Sequence, residues 1–164
     1  MLKENVYYQS EIGLIEIVAT DNSISKMGFV DEKPSETVLE TSNNFLKECI
    51  GQLREYFASE RKIFSLNLAP IGTDFEKSVW QELVKIPFGE TISYLQLAER
   101  IGNKKAIRAV GRANGKNPLA IIIPCHRVIG SNGSLTGYGG GLWRKEWLLK
   151  HEVAHAGHIE GRLF

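Results

Sequence analysis

Cys125 stands in Pro124-Cys125-His126-Arg127, directly after the unbroken apolar run Leu119-Ala120-Ile121-Ile122-Ile123. The pattern predicts a buried strand that delivers one thiol, with an imidazole beside it, to a sharp turn. A thiol attacks only as the thiolate, and nearby positive charge lowers its pKa from a free value of about 8.5. His126 and Arg127 are the neighbours that would supply that charge. Filling a small apolar space is the common fate of a free cysteine. Here proline fixes the backbone just before the sulfur and two ionisable residues follow it, so the run ends at Cys125 instead of continuing into a core.

An imidazole works as a base when a third group fixes its tautomer. Glu152 is the candidate. It closes a helix predicted over residues 142–152 and lies one turn after Leu148 and Leu149, hence on the core-facing side. A carboxylate there is disfavoured by burial and by the dipole at a helix C-terminus; a partnership with His126 resolves both. The same segment, His151-Glu152-Val153-Ala154-His155, matches the zinc-binding H-E-x-x-H pattern. A catalytic zinc needs a third ligand and a cleft floor, and only His158 and Glu160 follow, so no metal is expected.

The elements that position these residues follow from turn and capping signals. Val6-Tyr7-Tyr8, residues 13–18 and residues 24–30 alternate like strands, with Asp21-Asn22-Ser23 between two of them, and predict an antiparallel meander. A helix is predicted over residues 35–59, with Val38, Leu39, Phe45, Leu46, Leu53 and Phe57 near helical spacing and Cys49 in the core. Composition changes at Ala69-Pro70-Ile71-Gly72, which divides an α/β unit, residues 1–70, from a mainly helical unit, residues 71–164. Thr73-Asp74-Phe75-Glu76 and Ser93-Tyr94-Leu95-Gln96 match capping boxes. The first opens a helix whose inward stripe is Phe75, Val79, Leu83 and Ile86; the second opens a short helix that ends at Gly102-Asn103.

Residues 104–116 then form a second helix, giving helix-turn-helix geometry. Five of its residues are basic and none is acidic; Lys104, Arg108 and Arg112 stand four apart, while Ala106, Ala109, Val110 and Ala113 can pack. Phosphate contacts suit such a face, because each neutralised phosphate releases counterions. Gly111 and Gly115 cost helix stability of about 1 kcal/mol each relative to alanine, and small side chains let a helix approach a narrow groove. Gly137, Gly139, Gly140 and Gly141 make the loop after Cys125 able to approach a ligand closely.

Bulk composition agrees with this division. A 164-residue chain with 43% hydrophobic residues can bury one core or two small ones. Residues 1–60 hold 5 Lys/Arg against 11 Asp/Glu, and residues 61–164 hold 15 against 8, so the second part suits an anionic partner, nucleic acid first. Two cysteines without a C-x-x-C pair, and no signal-peptide pattern at the start, lead to the expectation of a reducing, cytoplasmic setting.

Pro124-Cys125-His126-Arg127-Val128, preceded by Arg108-Ala109-Val110-Gly111 and Asn117-Pro118 and followed by Tyr138-Gly139-Gly140-Gly141-Leu142 and Lys145-Glu146-Trp147-Leu148-Leu149, closely resembles the O6-alkylguanine-DNA alkyltransferases, also called methylated-DNA–protein-cysteine methyltransferases. The resemblance spans about residues 73–152. It implies a ribonuclease-H-like N-terminal domain of antiparallel strands plus a helix, and a mainly α C-terminal domain carrying the helix-turn-helix. It further implies irreversible transfer of an alkyl group from O6-alkylguanine, and from O4-alkylthymine, to Cys125, once per molecule and without a cofactor. In that pattern His126 acts through a water on Cys125, Glu152 orients His126, Tyr94 donates a proton to the guanine ring, and Asn117 braces the turn. Arg108 inserts into the space left by a flipped base. Ser93, Ala109, Gly111, Arg112, Ala113 and Asn114 line the minor-groove contact, and Cys125, Val128, Tyr138 and Gly139 contact the base. The partner implied is double-stranded DNA bound by a monomer, in the cytoplasm and on the nucleoid of a prokaryote. Some relatives hold a structural zinc in the first domain; this chain has no histidine before His126 and only Cys49 there, so none is expected.

Two readings from other classes compete. A DNA-binding regulator explains the basic helix and leaves the Pro124-to-Val128 turn and Glu152 idle. A thiol hydrolase acting on a small molecule uses Cys125 and His126 and leaves the basic helix idle.

Overall fold

A computed structural model of the chain describes residues 2–32 and 40–157. The chain folds as two compact units that meet in sequence between Ile71 and Gly72.

In the first unit, β1 (Lys3–Ser10), β2 (Gly13–Thr20) and β3 (Ser23–Val30) form an antiparallel meander in the order β1-β2-β3, with a bulge between Val18 and Ala19. The helix α1 (Asn44–Phe57) packs across all three strands and buries Leu46, Cys49, Leu53 and Tyr56 completely. It begins later than the apolar spacing predicts. Asn43 caps it, its side chain accepting from the Phe45 and Leu46 amides, and Thr41 Oγ1 in turn accepts from the Asn43 amide. Residues 40–43 are therefore the approach to the helix and no part of it. Residues 35–39 of the predicted helix, with Val38 and Leu39, lie outside the described residues, as do His158, Glu160 and the remaining tail. The Cys49 thiol, fully buried, is pushed up to about 12 by burial and then by Glu48; it is an inert core group.

The second unit is mainly helical: α2 (Asp74–Leu83), α3 (Tyr94–Arg100), α4 (Ile107–Gly115) and α5 (Leu142–His155). Both predicted capping boxes are present, Thr73 with Glu76 and Ser93 with Gln96. Phe75 departs from its predicted inward stripe and is 39% exposed; Trp80 takes the core position instead, with Val79, Leu83 and Ile86. The Trp80 indole donates to the Ala113 carbonyl (2.8 Å) and so ties α2 to the end of α4. Gly72 lies beneath that ring, where any Cβ would overlap it.

The turn of the helix-turn-helix is Gly102-Asn103. Gly102 adopts φ +83°, a left-handed conformation natural to glycine, and Asn103 caps a short 3-10 segment, Lys104–Ala106, that leads into α4. A two-residue strand β4 (Ile92–Ser93) runs parallel to β5 (Val128–Ile129), pairing Ile92 with Val128 and Ser93 with Ile129. The start of α3 is thereby stitched to the residues just after Cys125.

The apolar run before Cys125 is not a strand. Residues 119–123 form a buried turn, with Ile123 N donating to Leu119 O (2.9 Å) and Ile122 N to Ala120 O (2.8 Å). Ile121 sits at φ +72°, a strained conformation for a β-branched residue. Asn117 holds it there: Nδ2 donates to Ile123 O (2.7 Å) and Leu119 O (3.4 Å), while Oδ1 accepts from Leu119 N (2.9 Å). Cys125–Arg127 then make a single 3-10 turn.

Candidate active site

Cys125 is 7% exposed and His126 and Glu152 are fully buried, and the core-facing position predicted for Glu152 brings its carboxylate to His126. His126 Nε2 lies 2.7 Å from Glu152 Oε2. The carboxylate is an acceptor only, so Nε2 carries the hydrogen and Nδ1 carries the lone pair. Nδ1 has no hydrogen-bond partner among the described residues.

Arg127 goes elsewhere than the sequence predicts. It turns from the thiol and forks onto Glu152, Nε to Oε1 at 2.8 Å and Nη2 to Oε2 at 3.0 Å, while Nη1 donates to Ile86 O at 2.6 Å. The cation that acts on Cys125 is Lys145. Its side chain is completely buried on α5, and Nζ donates to the Thr136 carbonyl (2.9 Å) with the Tyr94 ring centroid 5.9 Å away. Burial pushes the Cys125 thiol up; Asn117, Lys145 and the residue's own backbone only partly offset this. The resting group is therefore a protonated thiol, contrary to the depressed value that flanking His and Arg suggest.

His126 has the form of a base. Burial lowers its pKa, Glu152 opposes this, and Arg127 and Lys145 add to the lowering, so the ring is neutral at neutral pH. Burial would raise Glu152, but His126 and Arg127 together pull it well below the usual carboxylate range. For Lys145, burial lowers the pKa and Cys125 opposes.

Tyr94 opens α3 and its hydroxyl donates to the same Thr136 carbonyl (3.1 Å) that Lys145 uses. Ser93 serves as the helix cap, its hydroxyl accepting from the Gln96 amide. On α4, Arg108 and Arg112 are exposed with Lys104, Lys105 and Lys116, Ala109 and Gly111 are half-buried, and Ala113 and Asn114 face inward at 2% and 3% exposure. Asn114, grouped from sequence with the groove-facing residues, instead donates from Nδ2 to the Cys125 carbonyl (3.4 Å). A Cβ on Gly111 would meet nothing closer than Tyr94 at 3.9 Å, and one on Gly115 would meet nothing within 4 Å, so packing within the unit demands neither glycine.

Val128 is fully buried and its amide donates to the Cys125 carbonyl, while the Cys125 amide donates to Ile123 O (2.8 Å). Both amide hydrogens belong to the turn itself. Tyr138 is half-buried with its hydroxyl enclosed and unpartnered among the described residues, and Gly139 is exposed. His155 Nδ1 is 2.7 Å from the His151 carbonyl, and among the described residues no three His, Cys, Asp or Glu side chains converge as a metal site. None of the described helices is long and apolar enough to cross a membrane.

Sequence reasoning missed Lys145 as a site residue. The signal was present: Lys145 precedes Leu148 by three and Glu152 by seven, which aligns all three on the buried stripe of α5. The Thr136 carbonyl, a main-chain acceptor, leaves no mark in a side-chain pattern.

Residues 5–70 match the ribonuclease-like domain of 6-O-methylguanine DNA methyltransferase, and residues 74–154 match the DNA-binding domain of the same family. A methylated-DNA–protein-cysteine methyltransferase of Methanosarcina acetivorans is 49% identical, the match covering 88% of this chain and 95% of that protein. One from Mycobacterium tuberculosis is 44% identical, with 90% of each covered. The crystal structure of the M. tuberculosis O6-methylguanine methyltransferase superposes with a TM-score of 0.84 at 39% identity, covering 94% of each chain. A structure of the M. tuberculosis protein in complex with DNA gives 0.83 at 41% identity, covering 92% of this chain and 93% of that one. With its small antiparallel sheet domain, its helical domain and both family models matched across most of its length, this chain belongs to the 6-O-methylguanine DNA methyltransferase family.

Proposed function

We propose that the protein repairs alkylated DNA by direct reversal, with Cys125 as the acceptor. The thiol proton passes through a water to His126 Nδ1, the sulfur attacks the alkyl carbon on guanine O6, the S–C bond forms and the C–O6 bond breaks. Tyr94 gives a proton to the ring as the leaving group develops, so the proton lost by the thiol is matched by one gained at guanine. A thioether resists hydrolysis, so each molecule reacts once. O4-alkylthymine presents the same alkyl–oxygen bond and is a second substrate.

The observation that carries this reading is the 2.7 Å His126–Glu152 contact, buried in the turn that holds Cys125, with that turn bonded to the exposed basic helix α4 through Asn114 Nδ2 on the Cys125 carbonyl. Lys145 complements the thiolate as it forms. Arg108 and Arg112 meet the DNA from the minor-groove side with Ser93, Ala109 and Gly111, Arg108 filling the place of the flipped base; Gly111 and Gly115, which internal packing does not require, allow the close approach. Ala113 and Asn114 shape the helix from its inner face. The base is held by Tyr138, Gly139 and main-chain groups around Cys125 and Val128. Residues 1–70 act as the N-terminal α/β domain and residues 71–164 as the alkyltransferase and DNA-binding domain of a monomer that works in the cytoplasm, on the nucleoid of a prokaryote.

Incubation with an oligonucleotide containing O6-methylguanine is expected to add one methyl mass to the peptide holding Cys125, with repair saturating at one lesion per protein. Turnover beyond equivalence, or methylation of another residue, overturns the assignment.

A further inference from the structure

Arg127 is buried at 6% exposure, and each of its guanidinium nitrogens is engaged, two on Glu152 and one on the Ile86 carbonyl. Phe88 lies 5.8 Å from its carbon centre. Glu152 accordingly receives four donors: Arg127 Nε and the Gly89 amide (3.4 Å) on Oε1, Arg127 Nη2 and His126 Nε2 on Oε2. Oε2 is shared between the guanidinium and the imidazole.

That sharing decides a protonation state. A buried imidazole paired only with a carboxylate at 2.7 Å is stabilised as imidazolium, because an opposite charge at that range favours the charged form. An imidazolium cannot take a proton from a thiol. When a guanidinium already forks onto the same carboxylate, it offsets part of that attraction, and a third group bonded to the pair gains less by being charged.

We propose that Arg127 is the positioning residue that keeps His126 a neutral base: its fork on Glu152 satisfies the carboxylate, so His126 donates Nε2–H to Oε2 and keeps the Nδ1 lone pair for the thiol. This rests on the reading of Cys125 as the alkyl acceptor with His126 as its base. A lysine could match the charge of Arg127 and not its fork. The charged groups that act on His126 are Glu152 and Lys145 from α5 and Arg127 from its own turn; the Tyr138 hydroxyl interacts with Cys125 and Glu152. Of these only Glu152 favours the imidazolium. Burial and the two cations oppose it.

The sign follows. In the native protein the His126 pKa lies below its ordinary value, so the base form is present at neutral pH and the transfer rate falls only on the acid side. Without Arg127 the pull of Glu152 is unopposed by its nearest cation, the pKa rises, and the acid limb moves to higher pH.

Single-turnover transfer from an O6-methylguanine oligonucleotide, followed from about pH 5 to about pH 9 for the full chain, R127M and R127K, tests this. R127M is expected to be at least about ten-fold slower than the native protein near pH 6 and to recover as pH rises, its midpoint moving up by about one unit or more. R127K is expected to fall between. Nitrogen-15 NMR of the His126 ring in the unreacted chain is expected to report a neutral ring in the native protein at neutral pH and an imidazolium in R127M. A rate reduced by the same factor at every pH, with a neutral ring in R127M, overturns the proposal and leaves Arg127 a structural brace. If R127M does not fold, R127K decides by the same two readouts: an acid limb moved to higher pH supports the proposal, and an unmoved limb with a ring as neutral as the native one overturns it. Failure of the underlying reading has a different signature, native protein that leaves Cys125 unmethylated, and the NMR readout does not depend on transfer.

Discussion

Asn117→Ala tests whether the reactive turn is held by one carboxamide. The substitution removes a 2.7 Å bond to Ile123 O, a 2.9 Å bond from Leu119 N and a weak 3.4 Å bond to Leu119 O. Ile123 O keeps the Cys125 amide and Leu119 O keeps the Ile123 amide, so the group left without a partner is the Leu119 N–H, on a fully buried residue. An orphaned buried donor costs about 1–3 kcal/mol and the second lost bond about 1 kcal/mol. Against this, Ile121 is released from φ +72°, a relief of about 1–2 kcal/mol. The net loss is about 2 kcal/mol, a fall in melting temperature of about 4–8 °C for a chain of this size. Because Asn117 also favours the ionised form of Cys125, the thiol pKa should rise in the variant, slowing alkylation about ten-fold for each unit. Urea unfolding measures the first effect, and the pH dependence of iodoacetamide modification measures the second. Asn117→Asp keeps the acceptor, loses the donor and adds an anion near the sulfur, so it should raise the thiol pKa further than N117A. Stability within about 0.5 kcal/mol of native, together with unchanged thiol reactivity, would refute the bracing role.

Lys145→Met removes a buried cation and keeps its stem; thermal scans are expected to show no loss of stability, since the desolvation cost of the charge is relieved and the Thr136 carbonyl keeps the Tyr94 hydroxyl, while single-turnover transfer drops about ten-fold or more. A variant that transfers at the native rate would exclude Lys145 from thiolate stabilisation. Arg108→Ala should slow repair in duplex DNA much more than reaction with free benzylated guanine, and equal losses in the two assays would remove its role at the vacated base position.

The chemistry was legible where a residue type conflicted with its position. Glu152 on a core-facing stripe demanded a partner, and His126 answers at 2.7 Å. The capping boxes at Thr73 and Ser93 were legible because their bonds are local, spanning three residues. What escaped was set by distant groups. Five apolar residues before Cys125 satisfy a buried-strand pattern, and nothing in that pattern reports a left-handed Ile121, whose conformation Asn117 imposes from outside the run. Adjacency in sequence points Arg127 at the thiol, whereas its direction is fixed by Glu152, 25 residues later. Phe75 has helical spacing, yet Trp80 fills the core beside it because the indole finds an acceptor on α4.

Asn114 and Asn117, one within the last turn of α4 and one just past it, both grip carbonyls of the segment that ends at Cys125. There is consequently no slack between the helix that would seat on DNA and the sulfur behind it. Wherever the helix comes to rest, the Cys125 sulfur comes to rest at a fixed offset from it, so the accuracy of docking would be inherited by the proposed reaction, and a residue inserted between Gly115 and Cys125 would throw the sulfur out of range, while one inserted among the exposed residues 131–134 would not.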